Sequence, residues 1–269
     1  MRQYKVFVTL IQVILTVQIS VAGFERTSQP ASVLARAFGG TGIFSSDNLW
    51  LNPASIAHEN KLRGTVFYTP SPFQLDQLAG YGMIVTDNIS IGTFGFGVQS
   101  FGFSLYRETI GSISAAYPVS NEIAVGASFH LYHLSIERYG TGIRPVIDIG
   151  ALYSLADAIT IGTSIQNVTG SSFGGDDDIP QKISSGFSLS IEQLVMVTAD
   201  IVKDIRYPVY SNGSIEIYPH ELLTLRFGID GSSSMFSAGI AINLFSIQFN
   251  YGVSSHPILG LTHTIGVTL

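Results

Sequence analysis

A chain of 269 residues that is 46% hydrophobic and only 12% charged carries about half the solubilising charge of an average soluble domain. Of its 13 Lys and Arg, Arg2 and Lys5 belong to an N-terminal segment; the remaining 11 against 19 Asp and Glu give a net −8, which excludes nucleic acid, a partner that needs a basic face. With no cysteine, neither a disulfide framework nor a lipid-modified cysteine is available.

Residues 1–22 read as a secretory signal peptide. Arg2 and Lys5 come first, then an apolar core over 6–17, then Ser20-Val21-Ala22 as a small-residue cleavage site before Gly23. The alternative is a retained helical anchor, although Gln12 and Gln18 interrupt the run. Beyond this segment no apolar stretch reaches the roughly 20 residues that a transmembrane helix needs. Passage through a membrane would therefore be by strands, whose backbone groups are all paired in hydrocarbon only when the sheet closes on itself.

Residues 23–61 show no alternation. They hold Gly39, Gly40 and Gly42, Asp47-Asn48, Trp50 and the turn sequence Asn52-Pro53-Ala54, with a short helix expected over 32–38. A segment this apolar and this irregular cannot face lipid, so it is expected inside a barrel as a plug. The glycines let its backbone pass close to the wall or take positive φ. In Asn52-Pro53-Ala54 the proline presets one dihedral and the asparagine side chain bonds nearby backbone; the motif either fixes the plug or is an ordinary turn. Phe38, Ile43, Phe44, Trp50 and Leu51 are candidate contacts for a hydrophobic ligand, packing within the plug being the other reading.

From residue 62 fourteen strand-like runs follow, over 62–69, 78–86, 89–98, 108–118, 122–136, 145–155, 158–168, 182–191, 193–203, 209–218, 221–229, 235–243, 245–253 and 261–269. The clearest pair lies within 235–253. Phe245, Ile247, Phe249, Tyr251 and Val253 alternate with Ser, Gln, Asn and Gly, and Ala238, Ile240, Ile242 and Leu244 alternate with Ser237, Gly239, Ala241 and Asn243. Asn243-Leu244-Phe245 is left to reverse the chain as a hairpin. A soluble sandwich would carry Lys, Glu and Arg on its polar face. Here that face carries Ser, Thr, Gly, Asn and Gln, an inversion that suits a barrel in lipid.

The apolar phase stays uncharged, as in Ile123, Val125, Ala127, Phe129 and Leu131, while charges within runs fall on the other phase as Arg63, Asp148, Asp200, Glu216 and Arg226. Gly80, Gly82, Gly92, Gly95 and Gly97 leave the outward phase of the second and third runs open. Tight connections alternate with longer ones over 70–77, 99–107, 137–144, 169–181, 204–208, 230–234 and 254–260, the pattern of short periplasmic turns and longer surface loops. The expectation is an all-β, transmembrane, antiparallel up-and-down barrel of about 14 strands over 62–269, with a short plug over 23–61, in the lipid of a bacterial outer membrane.

Little here suggests catalysis. His58, His130, His133, His220, His256 and His263 lack His-x-x-x-His spacing, and His130 and His133 point to opposite faces of one run. No Gly-x-Ser-x-Gly context places a serine beside a base, so the chain is read as a non-enzyme without a cofactor. Asp176, Asp177 and Asp178 would offer carboxylate oxygens to a divalent cation, or form a solvated loop; their spacing is not that of a calcium loop. Arg107 and Glu108 are expected to pair at the barrel mouth with little consequence.

At Ala35-Arg36-Ala37-Phe38-Gly39-Gly40-Thr41-Gly42, then Asp47-Asn48, then Leu51-Asn52-Pro53-Ala54-Ser55-Ile56-Ala57, the chain resembles the N-terminal signature of the FadL-like outer-membrane barrels, and within them the PorV/PorQ branch. Leu105-Tyr106-Arg107-Glu108-Thr109-Ile110-Gly111 and His256-Pro257-Ile258-Leu259-Gly260-Leu261-Thr262-His263 are further points of similarity. The resemblance implies a fourteen-stranded barrel with the N-terminal segment folded into its lumen, and one of two roles. PorV and PorQ proteins serve type IX secretion, holding or handing over secreted cargo at the cell surface. FadL proteins pass hydrophobic compounds across the outer membrane. The first is the leading expectation, with secreted cargo or secretion components as partners. The second, with hydrophobic small molecules as partners, is the alternative, and a structural barrel without passage is a third.

Overall fold

The computed structural model describes residue 24 and residues 28–174 and 179–269; the expected signal peptide over 1–22 and the carboxylates of Asp176, Asp177 and Asp178 fall outside them. Period-two alternation produces extended chain from residue 63 onward, and each strand pairs with the next. The strands are β1 (Arg63–Pro70), β2 (Ala79–Ile89), β3 (Gly92–Gly102), β4 (Tyr106–Pro118), β5 (Ile123–Ile136), β6 (Gly140–Ala156), β7 (Ile159–Gln166), β8 (Lys182–Ile191), β9 (Val195–Asp204), β10 (Tyr210–His220), β11 (Leu223–Asp230), β12 (Met235–Leu244), β13 (Ile247–His256) and β14 (Gly260–Thr268). All neighbours are antiparallel, and β1 pairs with β14 in the register Thr65 to Thr268, so the fourteen strands close into an up-and-down barrel. Closure leaves the sheet without an edge, which satisfies the backbone all the way round.

The two faces separate as the alternation requires. Phe129 and Leu131 on β5, Ile147 and Ile149 on β6, Phe187 on β8, Phe227 and Ile229 on β11 and Phe249 on β13 are exposed on the outside, whereas Asp148, Asp200, Glu216 and Arg226 are buried in the lumen. On β2 and β3 the outward residues are Tyr81, Met83, Phe96 and Val98, which resolves the phase the glycines had left open. Gly95 and Gly97 therefore face inward, and they do so because the plug lies against them: an added Cβ would sit 2.7 Å from the Trp50 ring at Gly97, and 2.4 Å from the Leu49 side chain at Gly95.

Strand ends differ from the sequence reading at both rims; on the short-turn side β2 runs on to Ile89 and β3 starts at Gly92, so the chain reverses at Ser90-Ile91 instead of the expected Asp87-Asn88. β6 starts at Gly140 rather than 145, and β4 at Tyr106 rather than 108, so the connections expected over 137–144 and 99–107 shrink to 137–139 and 103–105. Between β12 and β13 the turn is Phe245-Ser246, with Leu244 paired to Ile247 and Phe245 at φ 56°, not Asn243-Leu244-Phe245. Two-residue hairpin turns need positive φ to match the strand twist. The longest connection, 167–181, follows from a strand that stops early. β7 pairs with β6 only from Ile149 onward, and past that point Val168 N–H donates to Ile147 O (2.8 Å) and Arg144 Nε to Ser172 O (2.7 Å). Pro145, which has no N–H to offer a strand, occupies the part of β6 that this loop covers.

Candidate functional site

The plug consists of helix α1 (Ala31–Ala35) and two 3-10 turns, Ser46–Asn48 and Pro53–Ile56. The helix ends at Ala35 instead of reaching 38 because Ala37 (φ 52°) and Phe38 (φ 60°) turn left-handed. That bend directs Arg36 to the wall, where its Nε lies 2.8 Å from Glu216 on β10. Glu216 also accepts from Arg226 Nε at 2.9 Å, and Arg226 Nη1 donates to Asn250 at 3.1 Å. A buried charge is tolerable only when paired, and here one carboxylate lies between two guanidiniums.

The motif glycines and the asparagine turn form the next latches. Gly40 N–H, Thr41 N–H and Thr41 Oγ1 donate to Asp200 Oδ2 on β9 at 2.8, 2.9 and 2.8 Å. Gly40 holds φ +118°, a conformation that side chains rarely adopt. Gly42 lies flat on β8, where a Cβ would come within 3.0 Å of the Phe187 Cα, and its carbonyl accepts from Ser188 Oγ at 2.8 Å. Gly39 stands beside Thr198 and Asn212. Asn52 Oδ1 accepts from Ala54 N–H at 3.0 Å, capping the turn that Pro53 opens, while its Nδ2 donates to Thr41 O (2.8 Å) and to Ala151 O on β6 (3.2 Å). Asp47 accepts from Ser32 Oγ and from Thr65 Oγ1 on β1, and Gln166 Nε2 on β7 donates to Trp50 O. The plug is thus tied to strands all around the barrel.

Above it a cavity of about 800 Å³ extends toward the rim that carries the longer loops. Phe38, Thr41, Trp50 and Leu51 of the plug make its floor, Gln99, Phe101, Tyr132, Val202 and Asn212 line its wall, and Arg206, Tyr207 and His256 stand at its mouth. Of the five apolar side chains singled out from sequence, Phe38, Trp50 and Leu51 face this vestibule. Ile43 and Phe44 do not: Ile43 packs over Gly40, and Phe44 meets the His58 ring edge-on at 4.4 Å. A side pocket of about 40 Å³ shares Gln29, Phe38, Phe73 and Phe101 with the vestibule and reaches Leu34 and Pro72.

No family model matches the sequence, and no curated protein matches it. Solved structures do. The toluene transporter TbuX of Ralstonia pickettii superposes with a TM-score of 0.63 at 12% identity, covering 90% of this chain and 97% of that one. The CymD monoaromatic hydrocarbon channel gives 0.63 at 13%, over 90% and 97%. A FadL homologue of Pseudomonas aeruginosa gives 0.63 at 11%, over 90% and 98%. The fold is that of the FadL-type barrels.

Within the barrel two polar arrangements were hidden from a linear reading. Glu108 does not pair with Arg107 at the mouth. Adjacent strand residues face opposite ways, so Arg107 is exposed while Glu108 is buried, accepting from Phe24 N–H at 2.9 Å and from Tyr106 Oη at 2.5 Å. Second, a serine does stand beside a base. Ser112 Oγ on β4 lies 2.6 Å from His130 Nδ1 on β5, and His130 Nε2 lies 3.1 Å from Asp148 on β6. The only signal for this row was that all three occupy the inward phase of consecutive strands. Trp50 Nε1 donates to the same Ser112 Oγ at 2.9 Å, and Ser112 and His130 are 6% and 1% exposed. Trp50 and Asp148 line the vestibule, with Ser112 and His130 behind the indole. The row holds the indole in place.

Proposed function

We propose that this chain is an outer-membrane conduit of the FadL type that takes hydrophobic small molecules from outside into the vestibule, its short-turn rim facing the periplasm. The observation that carries this reading is the floor of Phe38, Trp50 and Leu51 beneath a cavity whose volume suits a small ligand. Apolar surface leaving water for such a floor gains about 25 cal/mol per Å². The similar structures named as a toluene transporter and a monoaromatic hydrocarbon channel support the same choice. The role is binding and passage rather than catalysis, in keeping with the covered Ser112. The secretion role implied by the PorV/PorQ resemblance rests on the sequence motifs alone. Most connections at the mouth are brief, such as 103–105, 137–139 and 257–259, which leaves little surface for holding a protein cargo.

The chain has one tryptophan, Trp50, and it lies in the vestibule floor, so its fluorescence reports the site directly. Bromobenzene titrated into the detergent-purified protein is expected to quench Trp50 saturably, and Phe38→Ala to weaken the apparent affinity about tenfold, or about 1.4 kcal/mol. Quenching that rises linearly without saturation, and identically in the variant, would refute the reading.

A further inference from the structure

Gln99 is 1% exposed on the inward face of β3, lines the vestibule, and has an amide oxygen without a hydrogen-bond partner. Its nearest inward neighbours are apolar, with the Glu108 carboxylate on β4 opposite Phe101 one inward pair further on. Phe101 is the next inward residue on the same strand, Gly97 on its other side lies under the Trp50 ring, and Ile110 is its cross-strand neighbour on β4. Gln29, across the shared side pocket from Phe101, Phe38 and Phe73, also has a buried amide oxygen with no partner. Buried polar groups in folded proteins are almost always bonded, and an orphan costs the full loss of its hydration. Asn212 Oδ1, on the wall of the same vestibule, is likewise unpaired, but among the described residues only Gln99 and Gln29 bring unpaired amide oxygens to the aromatic niche of Phe38, Phe73 and Phe101, a site prepared for a polar atom brought in on an apolar body.

Resting on the conduit reading above, we propose that the vestibule selects amphipathic ligands, a single ring or short chain bearing one neutral hydroxyl or similar group, over plain hydrocarbons. The ring lies among Phe38, Phe73 and Phe101, the ligand O–H donates to Gln99 Oε1, and the hydroxyl oxygen accepts from Gln29 Nε2 as its second partner. A pocket lined by apolar side chains alone discriminates weakly and favours the more hydrophobic molecule. One that must satisfy a buried amide rejects the ligand that leaves it unpaired.

The test uses benzyl alcohol and ethylbenzene, which match in size and differ by a hydroxyl against a methyl, each competing with bromobenzene for quenching of Trp50 in the full protein. Benzyl alcohol is expected to displace bromobenzene at a concentration equal to or below that of ethylbenzene. Gln99→Leu should move the ratio at least tenfold toward ethylbenzene, with ethylbenzene itself bound no more weakly. Gln29→Leu, in the plug rather than the wall, should move it the same way and serves if the wall variant fails to fold. Tighter binding of ethylbenzene by the native protein, or a ratio unmoved by either variant, overturns the selectivity while leaving the conduit reading intact. Absence of saturable bromobenzene quenching overturns both.

Discussion

Gly150 on β6 lies directly behind Asn52, and a methyl group there would fall on the asparagine's amide oxygen. That oxygen caps the Pro53 turn, and its partner nitrogen bonds Thr41 and Ala151, so Gly150→Ala and Asn52→Ala break one contact from two sides. Each should cost about 2–3 kcal/mol, from a lost cap and newly unpaired buried carbonyls. Because the two share that contact, the double variant should lose far less than the sum, a non-additivity read from urea unfolding in detergent. Asp200→Ala, which orphans two plug N–H groups and a hydroxyl, should cost at least as much by the same assay. At this scale the sequence was partly legible. Glycines and an Asn-Pro turn announce tight backbone, and they do sit at the seam between plug and wall. What they touch, and the row from Trp50 through Ser112 and His130 to Asp148, depends on registers between strands that no local pattern encodes.

Each strand presents one face to hydrocarbon and one to the lumen, and the consequence is measurable on β8. Phe187 points outward and is exposed, while Ser184 on the same strand lines the vestibule. Phe187→Arg should destabilise the barrel in lipid vesicles by about 2–4 kcal/mol, the cost of an arginine near the bilayer midplane. Ser184→Arg, with its guanidinium in the open vestibule, should cost under about 1 kcal/mol in the same urea titration. Strand number and face were readable because period two survives any local choice of residue. The ends were not, since at the loop rim pairing continues wherever two chains stay adjacent: Ile136 opposite Gly140 extends the β5–β6 hairpin beyond the last clearly alternating residues. Leu244-Phe245-Ser246-Ile247 carries no Asn-Gly or Gly signal, so its two-residue turn was displaced in the reading.

The molecule as a whole is a closed wall around an irregular filling, and each part requires the other. Irregular backbone persists at membrane depth only inside protein, and inward glycines such as Gly95, Gly97 and Gly150 leave the space in which it sits. The vestibule follows, because the plug fills one part of the lumen and leaves the part toward the longer loops open. All of this depends on lipid bathing the outer face and water reaching the inner one. The chain has no cysteine, so single cysteines carrying a nitroxide can be placed at will. In lipid vesicles, labels at Ile183, Ser185 and Phe187 should be relaxed by oxygen and shielded from a water-soluble nickel chelate, and labels at Ser184 and Val202 should show the reverse. Outward labels that meet the nickel chelate as readily as the inward ones would contradict the account.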